Sequence, residues 1–263
     1  MTSIQTIIDW LIEPARQYQS TTDILIKGKM DTDVKGIVTA FNLTQEVLEE
    51  AISIEANLII THEGPFYSHE NWKKAYECDP IFIKKLQLMG DADIHVFRFH
   101  DYFHRYYPDG IMTGLLHKLE WEKYTEENQA AATTLTIPKQ SVAEIVKYVK
   151  DKLDAPFVRV VGDLSIECQR IGLLAGYRGG GNLVIPLFQE KKLDLIIAGE
   201  GPEWEAPEYV RDAIRQGEKK ALMMIGHAIS EEPGMEYLQL LLEAHFPHLP
   251  VSYIRTKPLF QVI

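Results

Sequence analysis

The chain has 263 residues, of which 46% are hydrophobic and 25% are charged, with a formal net charge of −11. This composition is typical of a globular protein that buries a full core in one large domain or two closely packed lobes. The 27 basic residues are dispersed among 38 acidic ones. This distribution argues against nucleic-acid binding, which needs clustered Lys and Arg.

Cysteine usage and hydropathy predict a cytoplasmic protein. Cys78 and Cys168 are the only cysteines and form no Cys-x-x-Cys pair, so we expect neither a disulfide framework nor a structural zinc cluster. Residues 1–11 carry an acid within their apolar stretch and predict an amphipathic helix rather than a signal peptide. No apolar run approaches the ~20 residues that span a bilayer, so we expect no membrane partner.

The first third of the chain predicts alternating strands and helices. The predicted strands are residues 36–41, 57–61 and 95–99. The predicted helices are residues 44–55, 80–89 and 104–119. Thr44, with Glu46 shortly after it, is a typical N-cap of the first of these helices.

The rest of the chain predicts the same alternation. The predicted strands are residues 131–137 (closed by Pro138), 157–161, 171–176, 195–199, 221–226, 251–254 and 259–263. The predicted helices are residues 141–153, 182–191 and 206–217, and one from about residue 232. The last third repeats the strand, acidic loop, helix, strand and His order of the first.

This order predicts an α/β fold in which two similar lobes with mixed sheets enclose a central cleft. We expect a single domain over residues 1–263. Lobe one covers approximately residues 1–125, and lobe two covers approximately residues 126–263.

Histidine and glutamate side chains follow three of the predicted strands. They are His62 and Glu63, His100 and His104, and His227 and Glu231. Because open α/β sheets place their chemistry at the carboxyl ends of strands, we expect one site built from all three segments. An imidazole and a carboxylate four residues apart on a helix face the same way and can bind a first-row divalent ion.

Each segment alone also has a simpler structural explanation. Ser230 and Glu231 could cap a helix, His62-Glu63 could be a solvated loop, and the other His pair could lie on a surface helix. The Gly-rich residues 176–182 fit a tight strand-to-helix turn better than a phosphate loop, because they match no phosphate-binding motif. Glu200 and Glu203 could line the same cleft or simply be solvated.

These segments resemble the Nif-three-like proteins, which are also described as homologues of GTP cyclohydrolase I type two. Members of that family have a strand ending in His-His, a His-x-x-x-Asp segment, a Gly-Gly-rich turn, a strand ending in Thr-Gly-Glu and finally Gly-His-x-x-x-Glu. The matching segments here are Thr61-His62-Glu63, His100 to His104, Gly179 to Asn182, Ala198-Gly199-Glu200 and Gly226 to Glu231.

The chain departs from the family pattern at three positions. Glu63 replaces the second His of the pair, and His104 replaces the Asp. This exchange of imidazole and carboxylate keeps the same donor types, so we expect metal binding to be retained with an altered preference. Pro207 stands where relatives often carry a His, so the resemblance implies no substrate contact by an imidazole at this position.

The resemblance implies a dinuclear metal centre. His62 and His227 would hold one ion, Glu63 and His104 the other, and Glu231 would bridge them. These donors suit two divalent ions per chain, Zn, Fe, Mn or Ni. The resemblance then implies that His100 and Glu200 are the catalytic residues and that they carry protons.

The implied function is a dinuclear-metal hydrolase of cyclohydrolase or amidohydrolase type. It would act on a small heterocyclic or nucleotide-like substrate through a metal-activated water. The alternatives are a non-catalytic metal-binding regulatory or scaffold protein, and an inactive structural homologue. The resemblance also implies a homo-oligomer, a hexamer built from dimers.

Overall fold

Strands and helices alternate along the chain in the computed structural model, which describes residues 1–18, 20–68 and 76–263. The strands are β1 (Ile24–Lys27), β2 (Ile37–Ala40), β3 (Leu58–Thr61), β4 (His95–Arg98), β5 (Thr125–Asn128), β6 (Thr133–Ser141), β7 (Arg159–Val161), β8 (Glu167–Leu174), β9 (Leu195–Ala198), β10 (Ala221–Met224) and β11 (Val251–Tyr253). The helices are α1 (Ile4–Ile12), α2 (Gln45–Ser53), α3 (Pro80–Asp91), α4 (Asp101–His104), α5 (Gly110–Lys118), α6 (Val142–Leu153), α7 (Gly181–Lys191), α8 (Ala206–Arg215) and α9 (His227–His245). His69, for which the sequence offered no ligand partner, lies outside the described residues.

The chain forms two compact units. Unit 1 comprises Met1–Gly110 and Met235–Lys257, and unit 2 comprises Ile111–Gly234 and Pro258–Ile263. The chain leaves unit 1 after Gly110 and returns to it after Gly234. The return follows from hydrogen bonding, because β11 pairs in parallel with β2.

Unit 1 contains a five-stranded mixed sheet in the order β1-β4-β3-β2-β11. The pairs β4-β3, β3-β2 and β2-β11 are parallel, and β1 is antiparallel to β4. All four residues of β3 are buried, as expected for a parallel strand covered on both faces. Because β3 and β4 are parallel neighbours, the residues that follow them emerge at the same edge of the sheet.

Unit 2 contains a six-stranded mixed sheet in the order β5-β6-β8-β9-β10-β7. The central strands β8, β9 and β10 are parallel, and the outer pairs are antiparallel. The residues after β8, β9 and β10 therefore share one edge. The fold is mixed α/β with two mixed sheets, which confirms the predicted fold class.

Apolar side chains from strands and helices form a core in each unit. The core of unit 1 includes Val38, Leu48, Ile59, Phe82 and Val96. The core of unit 2 includes Leu174, Val184, Phe188, Ile196 and Leu222. Burial of each such side chain contributes about 1.5–3 kcal/mol, so the helices are held against the sheets mainly by these contacts.

The predicted helix starts are formed by side-chain caps. Thr44 Oγ1 accepts a hydrogen bond from the backbone N–H of Val47 at 3.0 Å and begins α2. Ser141 and Glu144 exchange hydrogen bonds in a capping box at the start of α6. Each cap satisfies N–H groups that have no partner within the helix.

Prolines explain two local errors in the predicted elements. The helix expected over residues 104–119 is interrupted between α4 and α5, because Pro108 lacks an N–H and disfavours helical backbone at Tyr107. The strand expected to close at Pro138 continues to Ser141. Pro138 is tolerated there because the pairing of β6 with β8 is irregular between Thr136 and Gln140.

Other differences concern the chain ends and helix α9. The strand predicted over residues 259–263 is exposed coil without partners in a sheet. Helix α9 begins at His227, five residues before the predicted start, and continues through Pro233. Within the described residues no helix is long and apolar enough to cross a membrane.

Candidate metal centre

Three imidazole rings of unit 1 lie against one another after β3 and β4: the rings of His62 and His100 are stacked, and the ring of His104 is edge-on to both. The centroid of the His62 ring lies 4.5 Å from that of His100 and 4.9 Å from that of His104. The His100 and His104 centroids are 4.9 Å apart. One ring nitrogen from each residue lies within 4.8 Å of the others. His62 is fully buried, so this cluster is part of the interior rather than a chance surface pair.

Each of these rings has an acceptor next to its Nδ1 atom. His62 Nδ1 lies 3.3 Å from the carbonyl oxygen of Phe99. His100 Nδ1 lies 2.8 Å from Oδ1 of Asp101, and His104 Nδ1 lies 2.9 Å from Oδ2 of Asp109. Carbonyl and carboxylate oxygens only accept hydrogen bonds, so each Nδ1 is the donor in these contacts.

The backbone that carries two of these histidines is held by a distant carboxylate. Asp23, near the start of β1, accepts hydrogen bonds from the backbone N–H groups of His100, Asp101 and Tyr102 at 2.7–2.8 Å. Burial raises the pKa of Asp23, and these three donors oppose that rise. Asp101 in turn accepts a hydrogen bond from the N–H of Thr22 at 2.7 Å. The short helix α4 is therefore anchored to the segment before β1.

Burial, followed by the neighbouring His62 and His104 rings, lowers the pKa of His100 to about 4. His100 is therefore neutral near pH 7, which is the form that binds a metal ion.

Glu63 lies beside the imidazole cluster in unit 1. Its Oε1 is 4.0 Å from Nε2 of His100, and its Oε2 is 4.0 Å from Nη2 of Arg98. Its side chain is 11% exposed. The carboxylate is thus held near a buried cation on one side and an imidazole on the other.

In unit 2, His227 lies between two carboxylates. Its Nδ1 is 3.1 Å from Oε2 of Glu200, and its Nε2 is 3.1 Å from Oε2 of Glu231. If Nδ1 donates its proton to Glu200, the Nε2 lone pair faces a carboxylate oxygen. The His227 Nε2 lone pair and the Glu231 carboxylate oxygen are then two acceptors 3.1 Å apart, and they require a proton or a cation between them. Since Glu231 is only 3% exposed, solvent compensates its charge poorly.

Ser230 fixes the start of α9 and is not a simple solvent-facing cap. It is fully buried, and its hydroxyl donates to the carbonyl oxygen of His227 at 2.7 Å. The Ser230 hydroxyl oxygen also accepts a hydrogen bond from the backbone N–H of Gly176 at 2.9 Å. Gly176 has φ +67°, and a methyl group there would lie 2.1 Å from Oε1 of Glu231. A glycine is therefore required where the loop after β8 meets Glu231.

The Gly-rich segment is a tight turn whose helix N-terminus already has an acidic partner. The N–H of Gly181, at the start of α7, donates to Oε2 of Glu205 at 2.7 Å. This carboxylate occupies the position that a bound anion would take. Glu203 forms an ion pair with Arg159 at 2.8 Å on the rim of a cavity of about 240 Å³, and Pro207 lines the same cavity.

The structure thus gathers the predicted site residues within each unit. In unit 1 it brings together His62, Glu63, His100 and His104. In unit 2 it brings together Glu200, His227 and Glu231. The sequence reasoning missed Asp23 and Asp109, and it gave Gly176 and Ser230 no contact with the site residues. Asp109 follows His104 by five residues, and a buried His with a nearby acid was a usable signal. Asp23 had no local signal, since it lies 77 residues from His100.

A mixed α/β fold with buried His and Glu clusters at the carboxyl ends of parallel strands defines a candidate metal-binding protein. The chain matches the family described as Duf34/NIF3 (NGG1p interacting factor 3) over residues 1–258, and it belongs to that family. The resemblance to Nif-three-like proteins is therefore confirmed.

Relatives agree over nearly the whole chain. A protein of Clostridium acetobutylicum named GTP cyclohydrolase 1 type 2 homolog is 24% identical over 228 residues, covering 83% of this chain and 80% of the relative. The crystal structure of Staphylococcus aureus hypothetical protein SA1388 has a TM-score of 0.76 at 19% identity, covering 100% of this chain and 99% of that chain. A Bacillus cereus protein related to NIF3 has a TM-score of 0.72 at 15% identity, covering 99% of both chains. These structural matches show a shared fold.

Proposed function

We propose that this protein is a dinuclear-metal-dependent hydrolase of cyclohydrolase or amidohydrolase type. The observation that carries the proposal is the pair of buried clusters in which imidazole nitrogens and carboxylate oxygens converge at strand ends. Buried groups of this kind are costly unless paired or bound to an ion. The name GTP cyclohydrolase 1 type 2 homolog, borne by the Clostridium acetobutylicum relative, supports the reaction class.

The proposed ligands follow the order of the family segments. They are His62, Glu63, His104, His227 and Glu231. Glu231 is the proposed shared carboxylate, because it is the most buried acid of the set and lies beside His227. We expect two divalent ions per chain, with Zn, Fe, Mn and Ni as the ions that these donors suit.

The ions would supply an acidified water as the nucleophile. Glu200 is the proposed proton carrier, because its carboxylate is 47% exposed and hydrogen-bonds to His227 at 3.1 Å. It can therefore exchange protons with solvent while it orients the imidazole ring. The proposed substrate is a small heterocyclic or nucleotide-like molecule, and the proposed location is the cytoplasm.

The second candidate function is a non-catalytic metal-binding regulatory or scaffold protein. Pro207 favours it, because this residue lines the unit 2 cavity without a side chain that can exchange protons. In this alternative the ions stabilise a binding surface and no turnover occurs.

Metal analysis and a turnover screen separate these functions. Protein purified without chelator, or reconstituted with Zn, Mn or Fe, should hold about two ions per chain by elemental analysis. It should hydrolyse at least one compound in a screen of GTP, other nucleotides and cyclic amides. Two bound ions without turnover would favour the regulatory alternative. Protein without stoichiometric metal after reconstitution would refute both.

A matched pair of variants tests the proposed shared carboxylate. Glu231→Gln should lower the bound metal from about two ions to one or none, because the amide cannot neutralise two cations. Glu243→Gln makes the same chemical change at a solvent-exposed position of α9 and should leave the metal content unchanged. Equal metal content in the two variants would exclude Glu231 as a ligand.

A further inference from the structure

We propose that Lys85 is a positioning residue for the loop after β3, which carries His62 and Glu63. Its ammonium group joins this loop to the segment after β2 and so fixes the direction in which the two side chains leave the sheet. The inference rests on the proposed metal-dependent function, because it assigns no new ligand and concerns the geometry that the proposed ligands need.

Backbone pairing between these two segments continues a short way beyond the strands. The N–H of His62 donates to the carbonyl oxygen of Ala40 at 3.2 Å. The N–H of Glu63 donates to the carbonyl oxygen of Phe41 at 2.9 Å. Pro65 has no N–H and cannot supply a further bond of this kind. Among the described residues, the bond of Glu63 is therefore the last one in this series.

The ammonium group of Lys85 links the two segments just beyond that point. It donates hydrogen bonds to the carbonyl oxygens of Leu43 and, at 3.0 Å, Pro65. Leu43 follows Phe41 by two residues, and Pro65 follows Glu63 by two residues. Carbonyl oxygens only accept hydrogen bonds, so two of them stay close together only when a donor lies between them. The Lys85 side chain is that donor.

Lys85 belongs to a helix whose position is fixed by the core of unit 1. Asp79 caps α3 by accepting a hydrogen bond from the N–H of Phe82 at 2.9 Å. Phe82 and Met89 are both buried in the core, and the Phe82 ring lies edge-on to the Phe66 ring with centroids 4.8 Å apart. Lys85 itself is 3% exposed. The helix cannot shift without breaking these contacts, so the ammonium group is a fixed attachment point for the loop.

The buried charge of Lys85 supports a role beyond packing. A buried ammonium group is costly unless it is paired, and no described acid compensates it, so burial lowers the pKa of Lys85 to about 8. The rings of Phe66 and Tyr67, whose centroids lie 5.5 Å from Nζ, offset only part of this cost. A methionine would fill the same space without a charge but could not donate to two carbonyl oxygens. Buried charges of this kind cluster at functional sites.

Glu63 is the ligand whose position depends most on this link. Its carboxylate is 11% exposed, and the N–H of Gly64 donates to its Oε2 at 3.4 Å. If the carbonyl of Pro65 is released, Gly64 can move, and the Glu63 carboxylate loses a contact that orients it. His62 is less dependent on the link, because its ring also contacts the carbonyl oxygen of Phe99 at 3.3 Å.

The variant Lys85→Met tests the inference, because it removes the ammonium group and keeps an apolar side chain of nearly the same length. Metal-free protein is titrated with Zn²⁺ by calorimetry at pH 7. We expect ~10–100-fold weaker binding of at least one ion, the usual effect of losing a group that orients a metal ligand. The matched control is Lys84→Met, at an exposed position of the same helix, and it should bind as the wild type does. Equal Zn²⁺ affinity in the two variants would overturn the inference.

Amide hydrogen exchange of the metal-free protein gives a readout that a general loss of stability would not give. In Lys85→Met the amides of Gly64 and Phe66 should exchange about tenfold faster, the scale set by the loss of one hydrogen bond. The amides of β3 should keep their wild-type rates, because the strand pairing is unchanged. An equal increase throughout unit 1 would mean that Lys85 only stabilises the core, and it would overturn the inference.

A measurement on the wild type covers the case in which Lys85→Met does not fold. Coupling between two sites is reciprocal, so metal binding must hold the loop more firmly if a firmly held loop favours metal binding. In ¹⁵N-lysine NMR spectra, the ammonium protons of Lys85 should therefore exchange with water more slowly after Zn²⁺ is added. The Lys84 signal should not change. An exchange rate of Lys85 that is the same with and without bound Zn²⁺ would contradict the positioning role.

Failure of this inference and failure of the proposed function give different results. Two bound ions in the wild type, with unchanged affinity in Lys85→Met, would remove the role of Lys85 and leave the dinuclear function standing. A wild type that binds no metal would refute the proposed function. Amide exchange would then decide the role of Lys85 alone: selectively faster exchange in the loop would support it, and a uniform increase would refute it.

Discussion

At the residue scale, the candidate site depends on positions where the surrounding atoms leave no room for a different side chain. Gly176 is the clearest example, because its missing side chain makes room for the Glu231 carboxylate. Lys85, which is not one of the candidate site residues, buries an ammonium group in unit 1 with no acidic partner among its described contacts. Its Nζ hydrogen-bonds to the carbonyl oxygens of Leu43 and, at 3.0 Å, Pro65. It also lies 5.5 Å from the centroids of the Phe66 and Tyr67 rings.

Gly176→Ala should abolish metal binding by the unit 2 residues. The new methyl group would lie 2.1 Å from Oε1 of Glu231 and would sit on a backbone with φ +67°, so the carboxylate must move. The control is Gly217→Ala, which also has positive φ (+90°) but meets no atom within 4 Å. It should cost only backbone strain, about 1–3 kcal/mol, and retain metal. Calorimetric titration measures both variants. Equal metal affinity in the two would show that Glu231 does not need this space.

Lys85 predicts a specific pH dependence of stability. Burial lowers its pKa from 10.5 to about 8 in the folded protein. Between these values the unfolded chain binds more protons than the folded one, so stability rises with pH. Below about pH 8 the group is charged in both states and the burial cost is fully present. Relative to Lys85→Met, the free energy of unfolding of the wild type should therefore increase by about 3 kcal/mol from pH 8 to 10.5.

Urea unfolding at several pH values tests this difference. The control is Lys84→Met, because Lys84 is the exposed neighbour on the same helix, and its stability curve should run parallel to that of the wild type. A Lys85→Met curve parallel to the wild type would contradict the lowered pKa.

At the element scale, the parallel strands decide where the ligands meet, and the loops after them decide the orientation of each ligand. The strands β3 and β4 deliver His62 and His100 to one sheet edge. The short helix α4 could not hold His104 by itself, since isolated helices of this length are unstable. The three hydrogen bonds to Asp23 supply the stabilisation that so short a helix lacks.

Asp23→Ala should weaken both the fold and the imidazole cluster. It leaves the N–H groups of His100, Asp101 and Tyr102 without this acceptor, which costs about 0.5–2 kcal/mol for a helix cap. It should also lower metal affinity, because α4 loses its anchor. Asp79→Ala removes a cap of two N–H groups from α3 and serves as the control.

The two cap variants should lose similar stability in thermal unfolding, but only Asp23→Ala should lose Zn²⁺ affinity. Unchanged affinity in Asp23→Ala would mean that α4 keeps its geometry without this anchor.

At the scale of the whole molecule, the chain is predicted to assemble. The resemblance to Nif-three-like proteins implies a hexamer built from dimers. With 30.1 kDa per chain, light scattering at micromolar concentration should give about six times this mass. Dilution should reveal dimers, because the dimer is the building block of the closed assembly. A stable mass of one chain would refute the prediction.

The sequence alone predicted the α/β class, most helices and strands, and the segments that bear the candidate ligands. These features depend on local patterns: apolar runs for buried parallel strands, capping residues such as Thr44 and Ser141, and polar residues just after strand ends. The family segments, Gly-His-x-x-x-Glu above all, can also be recognised from the order of residues in the chain, without knowledge of the tertiary contacts. Two predicted element boundaries were wrong because the effect of a proline depends on its surroundings. Pro108 interrupts a predicted helix, whereas Pro138 is accommodated where the strand pairing is irregular.

Only the tertiary structure decided which residues meet. The pairing of β11 with β2, the Asp23 anchor and the hydrogen bond from Gly176 to Ser230 join positions far apart in the chain. No local pattern encodes such pairs, because they depend on the relative placement of whole strands and helices. The same holds for His100. Its spacing from His104 suggested a helical face, but its place among three imidazoles follows from the parallel alignment of β3 with β4, which sets their carboxyl ends side by side.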